Sequence, residues 1–190
     1  MRSVTAVVFA LGAWASPAEA AVRWDTEIAE GADVRVLTSR PPGESASTAG
    51  PALDLSAHLA LIPLVRIGVY AHHDASTEAR SLSSTGFDLR VLLPWVSRRV
   101  RGYVHAGIGE VLAVAPAHAL AGAFIPSGSG SFTEVPLAVG VTYRVDPRLW
   151  LSVEAGARMG FAFGGGTYGA GSAGDDVVAV FVETGVVWGR

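Results

Sequence analysis

The chain of 190 residues has no cysteine and no lysine, and only 16% of it is charged. Without cysteine there is neither a disulfide framework nor a thiolate metal site, and the redox compartment cannot be read from that source. Without lysine every basic side chain other than histidine is an arginine, so the usual guard on the exposed edge of an open sheet is missing. A net charge of −3, with the arginines scattered along the chain, excludes a nucleic-acid partner. Beyond the N-terminus no apolar run reaches the roughly 18 residues that a membrane-crossing helix needs. Yet half of the residues are hydrophobic and the mean hydropathy is +0.39. The apolar content must be arranged in some way other than a helical span.

What is present first reads as a targeting segment. Arg2 precedes the apolar stretch Val4 to Ala15, then come Ser16, Pro17 and Ala18-Glu19-Ala20 ahead of Ala21. A basic start, a short apolar region and a small-residue cleavage site make residues 1–20 a signal peptide and residues 21–190 the exported domain.

In that domain apolar and polar residues alternate with period two, the mark of strands with one apolar face. In "RLWLSVEAGARMGFAF", residues 148–163, Leu149, Leu151, Val153, Met159, Phe161 and Phe163 share one parity, and Ser152, Glu154, Gly156 and Arg158 the other. The same test finds strands from Val22 to Val36, Leu53 to Leu61, Val65 to Ala71, Phe87 to Leu93, Val100 to Ile108, Glu134 to Arg144 and Val178 to Trp188. Short turns fall at Pro63, at Ser97-Arg98-Arg99 and at Asp146-Pro147, while longer links span about 39–51, 73–85, 114–131 and 164–176. An even number of strands, short turns at one end and long connections at the other predict an all-β, eight-stranded antiparallel up-and-down transmembrane β-barrel. Closure pairs every backbone group and leaves no edge to guard. A one-residue slip of residues 149–163 would drive Arg158 into hydrocarbon, at about 2–4 kcal/mol near the midplane.

Four tryptophans fit this plan. Trp24, Trp95, Trp150 and Trp188 all fall at the short-turn end, where an aromatic girdle meets the membrane–water interface; Trp150, of inward parity, is a rim residue. Tyr70, Phe87, Phe132 and Phe163 sit toward the other end. Asp54, His58, Arg66, Asp88, Arg90, Arg101, His105, Glu134, Arg144, Glu154, Arg158 and Glu183 carry inward parity and form the expected polar network of the lumen, where opposite charges pair. A soluble periplasmic barrel holding an apolar ligand is the inside-out alternative, but its polar faces would be dense in charge, and these are padded with Gly, Ala and Ser.

With "YRVDPRLWLSVEAGAR" as an example of its turn-to-strand stretches, the chain resembles the small eight-stranded outer-membrane barrels of the OmpA/OmpX type over its whole exported length. The resemblance implies the outer membrane of a Gram-negative bacterium, with outer-membrane lipid, lipopolysaccharide and the barrel-assembly machinery as partners and no cofactor. It departs from the pattern in ending Val187-Trp188-Gly189-Arg190, which displaces the terminal aromatic residue that the assembly machinery reads, and no peptidoglycan-binding domain follows. The implied function is structural or surface-interacting: envelope integrity, or binding of an unknown surface ligand by the long loops. A narrow pore whose ion pairs switch partners is the alternative.

Enzymatic chemistry finds no foothold. An outer-membrane lipid hydrolase would carry His-x-Ser on a strand, but His58 precedes Leu59-Ala60 and His105 precedes Ala106-Gly107, so no nucleophile is nominated. His72-His73-Asp74 reads as the solvated start of a loop, since neighbouring histidines on a strand point to opposite faces and cannot share a metal. Gly169-x-Gly171-x-x-Gly174 spells a dinucleotide fingerprint, but a strand and not a helix follows it. Asp175-Asp176 is a weak candidate for divalent cations near lipopolysaccharide. The apolar, Ala-rich link at 115–128 is expected to form a short helix that folds over the barrel mouth or meets a partner.

Overall fold

A computed structural model describes residues 23–37, 47–75, 81–115, 118–120, 123–125, 128–161 and 177–189. The predicted signal peptide, Phe163, the Gly169–Gly174 pattern and Asp175-Asp176 lie outside the described residues.

Eight strands close on themselves: β1 (Trp24–Leu37), β2 (Ser47–Ile62), β3 (Val65–Ala75), β4 (Ser81–Trp95), β5 (Val100–Ala115), β8 (Gly128–Arg144), β9 (Leu149–Phe161) and β10 (Val177–Gly189). Each pairs antiparallel with its neighbours in chain order, and β1 pairs β10 from Asp25↔Gly189 to Leu37↔Val177 to seal the cylinder. No described helix is long and apolar enough to cross a membrane.

The burial pattern follows the pleat. From Tyr70 to Asp74 in β3, and from Leu82 to Ser84 and Asp88 to Leu92 in β4, every second residue is buried and the residues between are more exposed. The outward faces carry large apolar side chains, with Phe87 71%, Val139 62% and Ile28 61% exposed, while Asp33, Asp88 and Arg158 are buried inside. A water-soluble sheet would distribute these residues the other way round.

Several strands run further than periodicity alone suggested. His72-His73-Asp74 is not a loop start. It continues β3, with His72 and Asp74 buried, and pairs with Ser84, Ser83 and Leu82 of β4. The small polar run Ser81 to Thr85 hides this, because its inward side chains are Leu82 and Ser84, which reverses the expected polarity. The Ala-rich link holds no helix among its described residues. It contains a two-stranded hairpin of β6 (His118–Leu120) and β7 (Ala123–Ile125), between Pro116 and Pro126, in a stretch too short to sustain a helix.

Candidate functional site: the polar interior and its arginine-rich mouth

Inward parity brings charged residues from strands far apart in sequence into two layers. Near the short-turn end they form a continuous belt. Arg66 pairs with Asp25, whose carboxylate lies 3.0 Å from His58 Nδ1; His58 Nε2 lies 2.7 Å from Asp88. Asp88 also faces His105 Nε2 at 3.3 Å, and His105 Nδ1 lies 2.9 Å from Glu154. Glu154 is 3.9 Å from Arg90, and Arg90 Nη1 donates to Glu27 at 2.7 Å. Ser152 donates its hydroxyl to the other Glu27 oxygen. Both ring nitrogens of His58 and of His105 therefore face carboxylates.

Arg90 also sits over the Tyr103 ring, 4.5 Å from its centroid. Tyr103 reaches across β8 at Gly140, where any Cβ would collide with the phenol ring, so glycine there is what lets the ring lie flat against the wall. Gly109 plays the same part for Tyr70 of the second layer, whose hydroxyl occupies the space a Cβ would take.

That second layer, toward the long connections, centres on Arg158. Its Nη2 lies 3.2 Å from Asp54 and 3.4 Å from Glu183, its Nη1 3.8 Å from Glu134, and its guanidinium 4.7 Å from the Phe181 ring centroid. Tyr70 donates to Glu134 at 2.9 Å, and His72 Nε2 lies 3.2 Å from Asp33. Asp54, His72 and Glu183 present ligand atoms within 4.8 Å of one another, the spacing of a metal site. Arg158 bridges the same two carboxylates, so a guanidinium already holds the cation position. The space beside this cluster is about 10 Å³, room for one water.

Of the sequence-predicted lumen residues, Asp54, His58, Arg66, Asp88, Arg90, His105, Glu134, Glu154, Arg158 and Glu183 belong to these two layers. Arg101 and Arg144 stand apart, at the short-turn mouth. Asp25, Glu27 and Asp33 were not named for the lumen, and His72 and Asp74 were read as a loop start, although strand parity places all five inside. Asp25, Glu27 and Asp33 follow from the single alternation that starts at Trp24. Tyr70, expected toward the end of the long connections, lies in the second layer there, buried in the lumen.

The four tryptophans divide. Trp24 and Trp188 pack edge to face, ring centroids 5.1 Å apart, with Trp188 exposed on the outer wall. Trp95 is turned by a register shift between Leu92 and Trp95, which sets it opposite the inward Arg101. It therefore lines the short-turn mouth together with Trp150, and it is not a girdle residue on the outer wall.

No protein-family model matches the chain, and no curated protein does. Among solved structures it is similar to Neisserial surface protein A (NspA), at 19% identity and a TM-score of 0.61, covering 87% of this chain and 96% of that one. It is also similar to Ail, the attachment invasion locus protein of Yersinia pestis, at 12% identity and a TM-score of 0.50, over 87% and 98% of the two chains. Ail has been solved in complex with the heparin analogue sucrose octasulfate as well, where the identity is 12%, the TM-score 0.51 and the coverage 88% and 99%. The shared feature is the fold, that of small eight-stranded outer-membrane barrels.

Proposed function

We propose that the protein is a non-conducting barrel of the Gram-negative outer membrane, exported by its N-terminal segment, whose role is structural or surface-interacting. The observation that carries this reading is the filled interior. Tyr103, Phe181 and His58 are all but inaccessible within it, and the ion pairs Arg90–Glu27 and Arg158–Asp54 cross the lumen between strands that are not neighbours. Small barrels pack their lumen with side chains in this way, whereas conduction needs a continuous aqueous path. The outward aliphatic band supports the membrane setting, because exposed apolar area on this scale is costly in water and stable in lipid.

The surface-interaction part draws on the similar structures, a Neisserial surface protein and an attachment invasion locus protein. In this reading lipopolysaccharide and membrane lipid surround the wall, the barrel-assembly machinery inserts it, and the long connections meet any surface ligand. The reading requires no cofactor and assigns no catalytic residue. Planar-bilayer recording of heat-modifiable, folded protein is expected to show no conductance steps. Steps whose size changes on Arg158→Gln would make the second layer a gate and the protein a pore.

A further inference from the structure

The short-turn mouth opens into a vestibule of about 860 Å³ whose wall is basic and aromatic. Arg23, Arg66, Arg98, Arg101, Arg144 and Arg148 line it, and Asp25 is the one acid among the lining residues, already held by Arg66 and His58. Its inner end is closed by Tyr103 and by Arg90, which is committed to Glu27.

Two of these guanidiniums share one platform. The Cζ of Arg101 lies 5.1 Å from the centroid of the Trp95 ring, and the Cζ of Arg144 lies 5.8 Å from the same centroid. The register shift that turns Trp95 inward creates this arrangement, and Arg101 is pinned further by donating from Nε to the Leu93 carbonyl at 2.9 Å. Arg98, Arg144 and Arg148 form no ion pair among the described residues. Like charges gathered on a low-dielectric wall attract a counter-anion strongly.

We infer that this vestibule is a binding site for a phosphate-bearing anion. Arg98, Arg144 and Arg148 alone bring more positive charge than one carboxylate neutralises, whereas a phosphoryl group brings more than one negative charge and oxygens on several sides. Guanidinium forks match those oxygens bidentately, and indole stacking holds the forks ready. The phosphate has two possible sources, a soluble phosphate compound entering the mouth or a phospholipid headgroup at the rim. The inference goes beyond the proposed role at the long connections and is independent of it.

The test uses the exported chain folded in neutral maltoside micelles, titrated with inorganic pyrophosphate and followed by tryptophan fluorescence. Saturable binding is expected, weakened about tenfold or more in Arg101→Gln/Arg144→Gln. Arg99→Gln is the control, because Arg99 points away to the Tyr143 hydroxyl at 3.1 Å, and it should bind like the parent. If the double variant does not fold, Arg148→Gln, in an exposed turn, replaces it and is expected to weaken binding in the same direction.

The source is resolved in nanodiscs. If phosphatidylglycerol, but not phosphatidylcholine, abolishes the pyrophosphate response, the occupant is a lipid headgroup; a response that persists in both indicates a soluble phosphate. No saturable signal with pyrophosphate in micelles and no effect of phosphatidylglycerol would overturn the site. So would equal weakening by Arg99→Gln, which would reduce the effect to net charge.

Discussion

Arg90 is held from three sides: by Glu27 at 2.7 Å, by the Tyr103 ring beneath it and by Glu154 at 3.9 Å. A buried cation so placed contributes little net stability as a pair, because desolvation offsets the attraction, yet removing it strands two buried carboxylates. Arg90→Met should therefore cost about 3–5 kcal/mol, and Arg90→Met/Glu27→Gln distinctly less than that. Urea unfolding in detergent micelles checks this, and a double variant as unstable as the single one would deny the pairing. At this scale much of the interior was legible, because parity alone assigns Asp88, Arg90 and Glu154 to one side. Partner choice was not. Nothing in the order of residues says that Asp88 bridges two histidines from different strands, since that depends on the stagger with which β2, β4 and β5 close around the axis. The inward turn of Trp95 was equally hidden, because a bulge shifts parity without leaving a sequence mark beyond the neighbouring Pro94.

A strand of this barrel is specified by contrast between its two faces. In β8, Leu137, Val139 and Val141 face out, while Pro136, Ala138 and Gly140 face in and are small enough to leave space for Tyr103. Val139 lies well inside the strand, and Val145 lies in the turn that follows it. Val139→Arg is accordingly expected to cost about 2–4 kcal/mol in a bilayer, and Val145→Arg about 0–1 kcal/mol, the difference arising from depth alone. Folding titrations into phosphatidylcholine vesicles measure both, and equal costs would mean that the outer wall does not meet hydrocarbon. The contrast also explains why the centres of strands were legible and their ends were not. Ser81 to Thr85 and His72 to Asp74 extend their strands by pairing with each other, as in the hydrogen bond of 2.9 Å between His73 Nδ1 and Ser83 Oγ, after the apolar alternation has stopped. Pairing beyond the apolar band is carried by the backbone ladder, to which composition is nearly blind.

Closure is a property of the whole molecule. The first and last strands pair along their length, so the barrel has no terminal strand that can fray alone. Opening the β1–β10 seam would expose two rows of unpaired amides and carbonyls, each costing several kcal/mol in hydrocarbon. It would also pull Glu27 of β1 and Asp54 of β2 away from Ser152 and Arg158 of β9. The barrel should therefore resist detergent until it melts in one cooperative step. An unheated outer-membrane sample is expected to migrate on a denaturing gel at a different mobility from a boiled one. Arg90→Met should lower the temperature at which the two bands exchange, because it weakens the belt and leaves the seam's backbone ladder untouched. A single band at all temperatures, from protein recovered in the soluble periplasmic fraction, would contradict the membrane setting itself. The apolar wall of Ile28, Phe87 and Val139 would then need another cover, and a bound apolar partner would be the next thing to seek.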